Sequence, residues 1–181
     1  KYFDGAIKRI LANTSSKASE TEKAGGQVVI AGNTELTTGA NVEAAFNAMW
    51  KKCPKQIRKK AGLVFVCGWD IWDLYDQYLS DKQVKYSDNT KVNEYRFKGK
   101  RIVPIVGIPE HTILLGEFTT GMESNLWMGV DYANDTEVVK VERLQANSEF
   151  YFFQMRMKMD VNIVRPAEIV AWTAYKLSLI H

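Results

Sequence analysis

Glu149-Phe150-Tyr151-Phe152-Phe153-Gln154-Met155-Arg156-Met157-Lys158-Met159-Asp160-Val161-Asn162 carries the clearest periodicity in the chain. From Tyr151 every second residue is apolar, and from Gln154 the residues between them are polar. A period of two marks a strand with one apolar and one wet face, whereas a helix would scatter these side chains around its circumference. The run is about fourteen residues long, against roughly 5–6 for an ordinary strand. Two readings stand: a long edge strand or hairpin packed on its own domain, or a strand that outreaches its core and offers part of its apolar face to another body. Three of the six methionines lie here, and methionine suits adaptable contacts.

Working outward, Glu137 to Leu144 reads as a strand with Val139 and Val141 on one side. Gln145 to Ser148 turns the chain, so Glu137–Leu144 and Glu149–Asn162 are expected to form a long antiparallel hairpin. Leu126 to Val130 is a further apolar run, followed by a turn at Asp131 to Thr136. After the long strand, Arg165-Pro166 breaks the pattern and Ile169 to Trp172 reads as a short closing strand. Upstream, Thr112 to Phe118 is a strand. Tyr95 to Phe97 and Lys100 to Gly107 form a pair turning near Gly99, with Pro104 pointing to an edge or a bulge. Leu63 to Cys67 is apolar throughout, as in a strand buried on both faces.

Two helices flank that strand. Asn41 is the expected cap of the first, whose Val42, Ala45, Phe46, Met49 and Cys53 form one apolar stripe widened by Trp50; Pro54 stops it. The second starts near Trp69 or Asp70 and places Ile71, Trp72, Tyr75, Tyr78 and Leu79 on one side. Lys1 to Leu11 mixes apolar and basic residues with a turn at Asp4-Gly5. Gln27 to Ala31 is a short strand, Thr34 to Gly39 is turn-like, and Ala12 to Gly26 and Asp81 to Glu94 are polar loops. No period of repetition is present.

The 181 residues are 46% hydrophobic with a net charge of +3, ordinary globular material and too weakly basic to argue for nucleic acid. No apolar run reaches the ~20 residues of a membrane span, and no signal segment opens the chain. A start at Lys1 reads as a fragment or processed product. Cys53 and Cys67 lack metal-site spacing and point to reduced thiols.

Chemistry was sought at each constellation. Lys51 to Lys60 holds six basic residues (Lys51, Lys52, Lys55, Arg58, Lys59, Lys60) and no acid: a phosphate-facing patch, or a solvated connector favoured at a helix C-terminus. No aromatic side chain interleaves there to stack on bases. Asp70, Asp73 and Asp76 recur at three-residue steps, spread around a helix instead of converging on a metal. Asp131, Asp135 and Glu142 match three places of a calcium loop, but Ala133 and Thr136 occupy positions that need a ligand and a glycine. Cys67 with His111 and an aspartate can be imagined as a nucleophile pair, with nothing local to support it, and a lone His in a turn reads as a solvated surface residue. The sequence therefore assigns no catalytic, cofactor-binding or metal residue and no cofactor.

The order of segments resembles a known family. The segments that carry it are Phe97-Lys98-Gly99-Lys100-Arg101-Ile102-Val103-Pro104-Ile105, Ile108-Pro109-Glu110, Thr112-Ile113-Leu114-Leu115-Gly116-Glu117-Phe118, Asn125-Leu126-Trp127-Met128-Gly129-Val130-Asp131, Phe152 to Val161 and Arg165-Pro166-Ala167-Glu168. Together they are similar to the C-terminal half to two-thirds of tailed-phage major capsid proteins, over roughly Phe3 to Tyr175. The resemblance implies an α+β capsid-like fold: a mixed central sheet flanked by helices, with a long antiparallel β-hairpin extension. It implies an axial domain over 1–125, the long hairpin of a peripheral domain over 126–164, and a closing segment over 165–181 returning to the axial domain.

The implied function is that of a structural subunit of an icosahedral bacteriophage or prophage shell, not an enzyme. Its implied partners are copies of itself in capsomers, with scaffolding and packaged DNA at the shell interior and no membrane. Its implied location is the virion, assembled in the bacterial host cytoplasm. The family's N-terminal arm, extended loop and spine helix would lie before Lys1, so this chain is expected to assemble poorly alone; no crosslinking residue is carried over. A bacterial encapsulating compartment of the same fold, and an enzyme or nucleic-acid binder using the Lys51–Lys60 patch, are the alternatives.

Overall fold

The computed structural model describes residues 5–14, 26–82, 95–130, 138–143, 149–156 and 159–174. The two strands with no polar face, β2 (Leu63–Cys67) and β5 (Thr112–Glu117), lie side by side and antiparallel. Around them a six-stranded sheet forms in the order β1-β10-β5-β2-β4-β3, with β1 (Val29–Gly32), β3 (Arg96–Phe97), β4 (Lys100–Pro104) and β10 (Val170–Thr173). β1 runs parallel to β10 and β4 parallel to β2, while the other neighbours are antiparallel. The sheet is thus mixed, as expected. The closing strand β10 is not at an edge; it lies between β1 and β5.

Because successive side chains in a strand point to opposite faces, an all-apolar strand demands cover on both. One face, carrying Leu63, Phe65, Cys67, Ile113, Leu115 and Val170, is covered by helices α2 (Gly39–Lys52) and α3 (Trp69–Asp81). All five stripe residues of α2 are buried. Phe46 is the hub: its ring meets Phe65 at 5.0 Å, Tyr75 at 5.3 Å and Phe97 at 5.4 Å. Aromatic pairs at such separations contribute beyond the area they bury. The other face, carrying Val64, Val66, Leu114 and Ala171, is covered by α1 (Ala6–Asn13) and by Leu126 and Ile163.

Three local expectations need correction. Residues 6–13 are helical, not a mixed stretch behind a turn, and include Ala12 and Asn13 of the expected loop. α1 is seated by buried Ile10 and Leu11, and the Asn13 side chain accepts the Val28 amide at 2.7 Å. The cap of α2 is Thr38, not Asn41: the Thr38 hydroxyl accepts the Asn41 amide, and Gly39 opens the helix. Glycine is needed there because an added Cβ would fall 2.2 Å from Tyr78 Cβ, so only glycine lets the helices cross this closely. The long hairpin is built from four strands instead of two, as described below. The β3–β4 turn follows its sequence: Lys98 and Gly99 both take positive φ, as a two-residue hairpin loop requires. Pro104 ends β4, beyond the two rungs that β3 supplies. The remainder of the expected loops 12–26 and 81–94, residues 15–25 and 83–94, lies outside the described residues.

α2 and α3 are also tied by charge. Glu43 accepts from the Tyr78 hydroxyl at 2.7 Å and from Lys82 Nζ at 3.1 Å, which holds its carboxyl below the usual glutamate range. Lys82, which donates to Tyr78 and Glu43, is in turn raised above the usual lysine range by these hydrogen bonds.

Two predictions follow from this packing. Phe46→Ala lowers the unfolding free energy by about 3–5 kcal/mol in urea titration, as for other fully buried aromatic truncations. Because the folded-state pKa of Glu43 is depressed, its contribution is present above the unfolded glutamate pKa and is lost as pH falls through the folded value. Glu43→Gln therefore reduces the loss of stability on acidification, with little effect on the slope at neutral pH, as read from denaturation midpoints across the acid range.

Candidate functional site

The long alternating stretch becomes two paired segments. β6 (Leu126–Val130) pairs antiparallel with β9 (Met159–Ile163), and β7 (Val138–Arg143) with β8 (Tyr151–Arg156). Chain order is β6, β7, β8, β9, so the base pair and the tip pair make one excursion from the sheet and back. The expected hairpin is correct at the tip, while Met159–Asn162 pairs with the Leu126 run instead of with Glu137–Leu144.

The two ladders differ in register. Val130 stands opposite Met159 and Val138 opposite Arg156. Seven residues separate the paired segments on the outgoing limb and two on the returning limb. The five-residue excess means that one unbroken ladder cannot run through both pairs. Residues 131–137, 144–148 and 157–158, and with them the expected turns and Asp131 and Asp135, lie outside the described residues.

The base is rooted in the core through its first rung, Leu126 and Ile163, packed against Ile10, Val66 and Leu114. Farther out the apolar side chains face water. Met128 is 63% exposed, Val141 52%, Tyr151 59% and Phe153 70%. On the opposite face Trp127 and Phe152 are also about half exposed. Large apolar groups exposed together on one ladder, as Val141, Tyr151 and Phe153 are at the tip, mark a contact surface, while isolated ones need no explanation.

At the root a charged node joins the two limbs to the sheet. Glu117, at the end of β5, is 1% exposed and meets Lys60 Nζ at 2.7 Å and an Arg165 terminal nitrogen at 3.4 Å. Arg165, just past β9, also donates to the Glu123 carbonyl at 2.5 Å and the Asn125 side-chain oxygen at 2.9 Å, and lies 3.1 Å from Glu168. The backbone repeats the stitch: Asn125 N–H donates to the Glu117 carbonyl and Val164 N–H to the Asn125 carbonyl. A single guanidinium, with its fork of donors, therefore fastens the outgoing limb, the returning limb and the sheet. The hydrogen bond to Glu117 raises Lys60 above the usual lysine range.

The other sequence candidates fall elsewhere. In the basic segment, Arg58 donates to the Lys51 and Cys53 carbonyls, capping the end of α2, and lies over Trp50. Lys52 reaches the Ile30 carbonyl at 2.9 Å and Lys60 reaches Glu117. Half of the patch is thus committed to internal acceptors instead of being wholly solvated, while Lys51, Lys55 and Lys59 are exposed. Of the three aspartates, Asp70 accepts the His111 amide and Asp76 the Tyr95 hydroxyl. Among the described residues no three His, Cys, Asp or Glu side chains gather at a metal site, and no helix is long and apolar enough to cross a membrane.

His111, at φ 55°, is half-buried in its turn and held by Leu36. Its Nδ1 lies 3.0 Å from the Leu36 carbonyl and 3.3 Å from the Leu36 amide, pinning the segment before α2. Cys67 is fully buried, and burial followed by the nearby Asp70 charge pushes its thiol up to about 12. Nucleophilic use of cysteine needs the opposite shift. The node itself escaped sequence reasoning. Its available signal is Glu117, a lone acid within the apolar run Ile113–Phe118, since an acid buried in such a run needs a cation.

Two measurements check this geometry. Glu117→Gln costs about 1–3 kcal/mol in chemical denaturation, below the loss for a fully buried pair because Lys60 and Arg165 keep access to water. Native Cys67 stays unmodified by iodoacetamide at pH 8 and reacts only when the chain is unfolded; peptide mass spectrometry reads both states.

Comparison with known proteins places this architecture. No protein-family model matches the chain, and no curated protein does. Solved structures do. A chain of Mycobacterium phage Che8 superposes with a TM-score of 0.61 at 11% identity, over 92% of this chain and 56% of that one. A chain of the procapsid of satellite phage P4, determined with its size determination (Sid) protein, superposes at 0.52 with 13% identity, over 96% and 53%. The chain spans about half the length of these structures. With its mixed sheet, flanking helices and projecting ribbon, the chain has the fold of the phage major capsid proteins.

Proposed function

We propose that this chain is a structural subunit of an icosahedral bacteriophage or prophage shell that works by contact with copies of itself and not by catalysis. In this reading residues 1–125 correspond to an axial domain, 126–164 to the ribbon of a peripheral domain, and 165–181 to a segment returning to the axial domain. Packaged DNA and scaffolding are the further partners, the virion is the destination, and assembly takes place in the host cytoplasm.

The observation that carries the reading is the ribbon. On a capsid-like fold, Met128, Val141, Tyr151 and Phe153 are held in water on a two-stranded element. A two-stranded ribbon is at best marginal alone, and three or more strands or a packed face are needed to stabilise it. A neighbouring subunit would supply that face. Shell contacts are heterologous and must close by rotation, which suits an arm on one side of the molecule. The internal commitments of Lys52, Arg58 and Lys60 weaken the alternative use of the basic segment.

Electron microscopy of the protein in its complete natural form tests the proposal. Closed icosahedral particles containing DNA are the expected result. Particles filled with protein and free of nucleic acid would replace it with an encapsulating compartment, and a monomer at all concentrations would overturn it. Val141→Asp and Phe153→Asp separate assembly from folding. Both positions are exposed, so monomer stability changes by less than about 0.5 kcal/mol, while particle yield falls at least tenfold by sedimentation.

A further inference from the structure

The ribbon base has a second fastening, quite unlike the charged node at its root. Asp160, in β9, receives both hydrogen bonds from one Arg9 terminal nitrogen, at 2.9 Å to Oδ1 and 2.8 Å to Oδ2. Arg9 belongs to α1, which is seated in the core by Ile10, Leu11 and Asn13. The carboxylate is oriented for this contact, because Asp160 Oδ1 also accepts the Val161 amide at 2.9 Å. The partners are 151 positions apart and lie on the third rung above the Leu126–Ile163 anchor, opposite Gly129. Gly129 offers no side chain to replace the contact from across the ladder.

The two fastenings differ in exposure. In the root node the cations Lys60 and Arg165 are 32% and 37% exposed but their shared carboxylate, Glu117, is 1% exposed, whereas both members of the outer pair, Arg9 and Asp160, are exposed, at 37% and 62%. Exposed ion pairs are weak and screened, with a Debye length of ~10 Å at 0.1 M salt and ~3 Å at 1 M, while buried pairs are screened far less. Conditions that leave the root intact therefore weaken the Arg9 contact. Its loss releases the third rung of the base while Leu126 and Ile163 stay packed.

We infer that the Arg9–Asp160 pair is a releasable latch that couples the position of α1 to the set of the outer rungs of the ribbon base. A shift of α1 is transmitted to the third rung of the base through Asp160, and raising the ionic strength removes that contact while the apolar packing of Ile163 against Ile10 remains. The coupling needs no second subunit and stands independently of the shell reading.

Hydrogen exchange read by peptide mass spectrometry on the whole chain tests this. At 50 mM salt, Asp160→Asn and Arg9→Gln each speed exchange in β6 and β9 about two- to fivefold and leave β2 and β5 unchanged, the range expected for an exposed pair. At 500 mM salt the wild type approaches the variants. The charge swap Arg9→Asp with Asp160→Arg restores slow exchange at low salt. Unchanged β6 and β9 in the single variants, equal acceleration in β2 and β5, or failure of the swap to restore protection would each overturn the latch.

Discussion

A carboxylate buried at the end of an apolar strand constrains everything around it. Glu117 cannot remain charged inside the protein without cations, and it draws them from two distant places: Lys60 from the connector after α2, and Arg165 from the end of the ribbon. Meeting this electrostatic requirement fixes where the ribbon leaves the sheet and where it returns. Hydrophobic burial alone would hold Leu126 and Ile163 near the sheet, but it is non-directional and would leave the limbs free to slide. The guanidinium fork of Arg165 contributes the direction.

The same arrangement explains the layering. β2 and β5 carry apolar side chains on both faces, so the sheet cannot stop at one layer of helices. α2 and α3 close one face with a large aromatic cluster around Phe46. The other face is closed by smaller pieces, α1 and the first rung of the ribbon, around Ile10 and Leu114. The element that projects from the molecule is thus also part of its core. Any force on the ribbon is felt first by this smaller cluster and the charged node beneath it.

Much of this was legible in the sequence because local pattern and tertiary role agree. The apolar run at Leu63, the stripe from Val42 to Cys53 and the alternation from Tyr151 each state how many faces are buried. The order of segments also pointed to the capsid-like fold that the solved structures share. The misses have physical causes. α1 is eight residues long with no side-chain cap or first-turn acid, and a helix so short depends on tertiary contact; the spacing of Ile7, Ile10 and Leu11 was its one signal. Thr38 outcompeted Asn41 as a cap because only Gly39 tolerates the approach of Tyr78. The alternation gave the faces of the long strand but not its partners, since period two reports burial and carries no register information. The lone acid Glu117 in an apolar run signals the need for a cation, but nothing local identifies Arg165, 48 positions away, as its partner.

The division of the excursion into base and tip follows from the same balance of forces. The base meets the core at its first rung and meets α1 through Arg9, so its register is pinned by contacts outside the ladder. The tip has its register set by its own ladder, and the five-residue excess on the outgoing limb separates the two settings. Two-stranded pairing contributes little stability once chain entropy is counted, so the exposed aromatics at Tyr151 and Phe153 give the tip little support in the isolated chain. Those side chains become stabilising only when another surface removes them from water, at roughly 25 cal/mol per Å² of apolar area. The fold therefore separates two tasks: the charged root sets where the ribbon stands, and the apolar tip gains stability only by being covered.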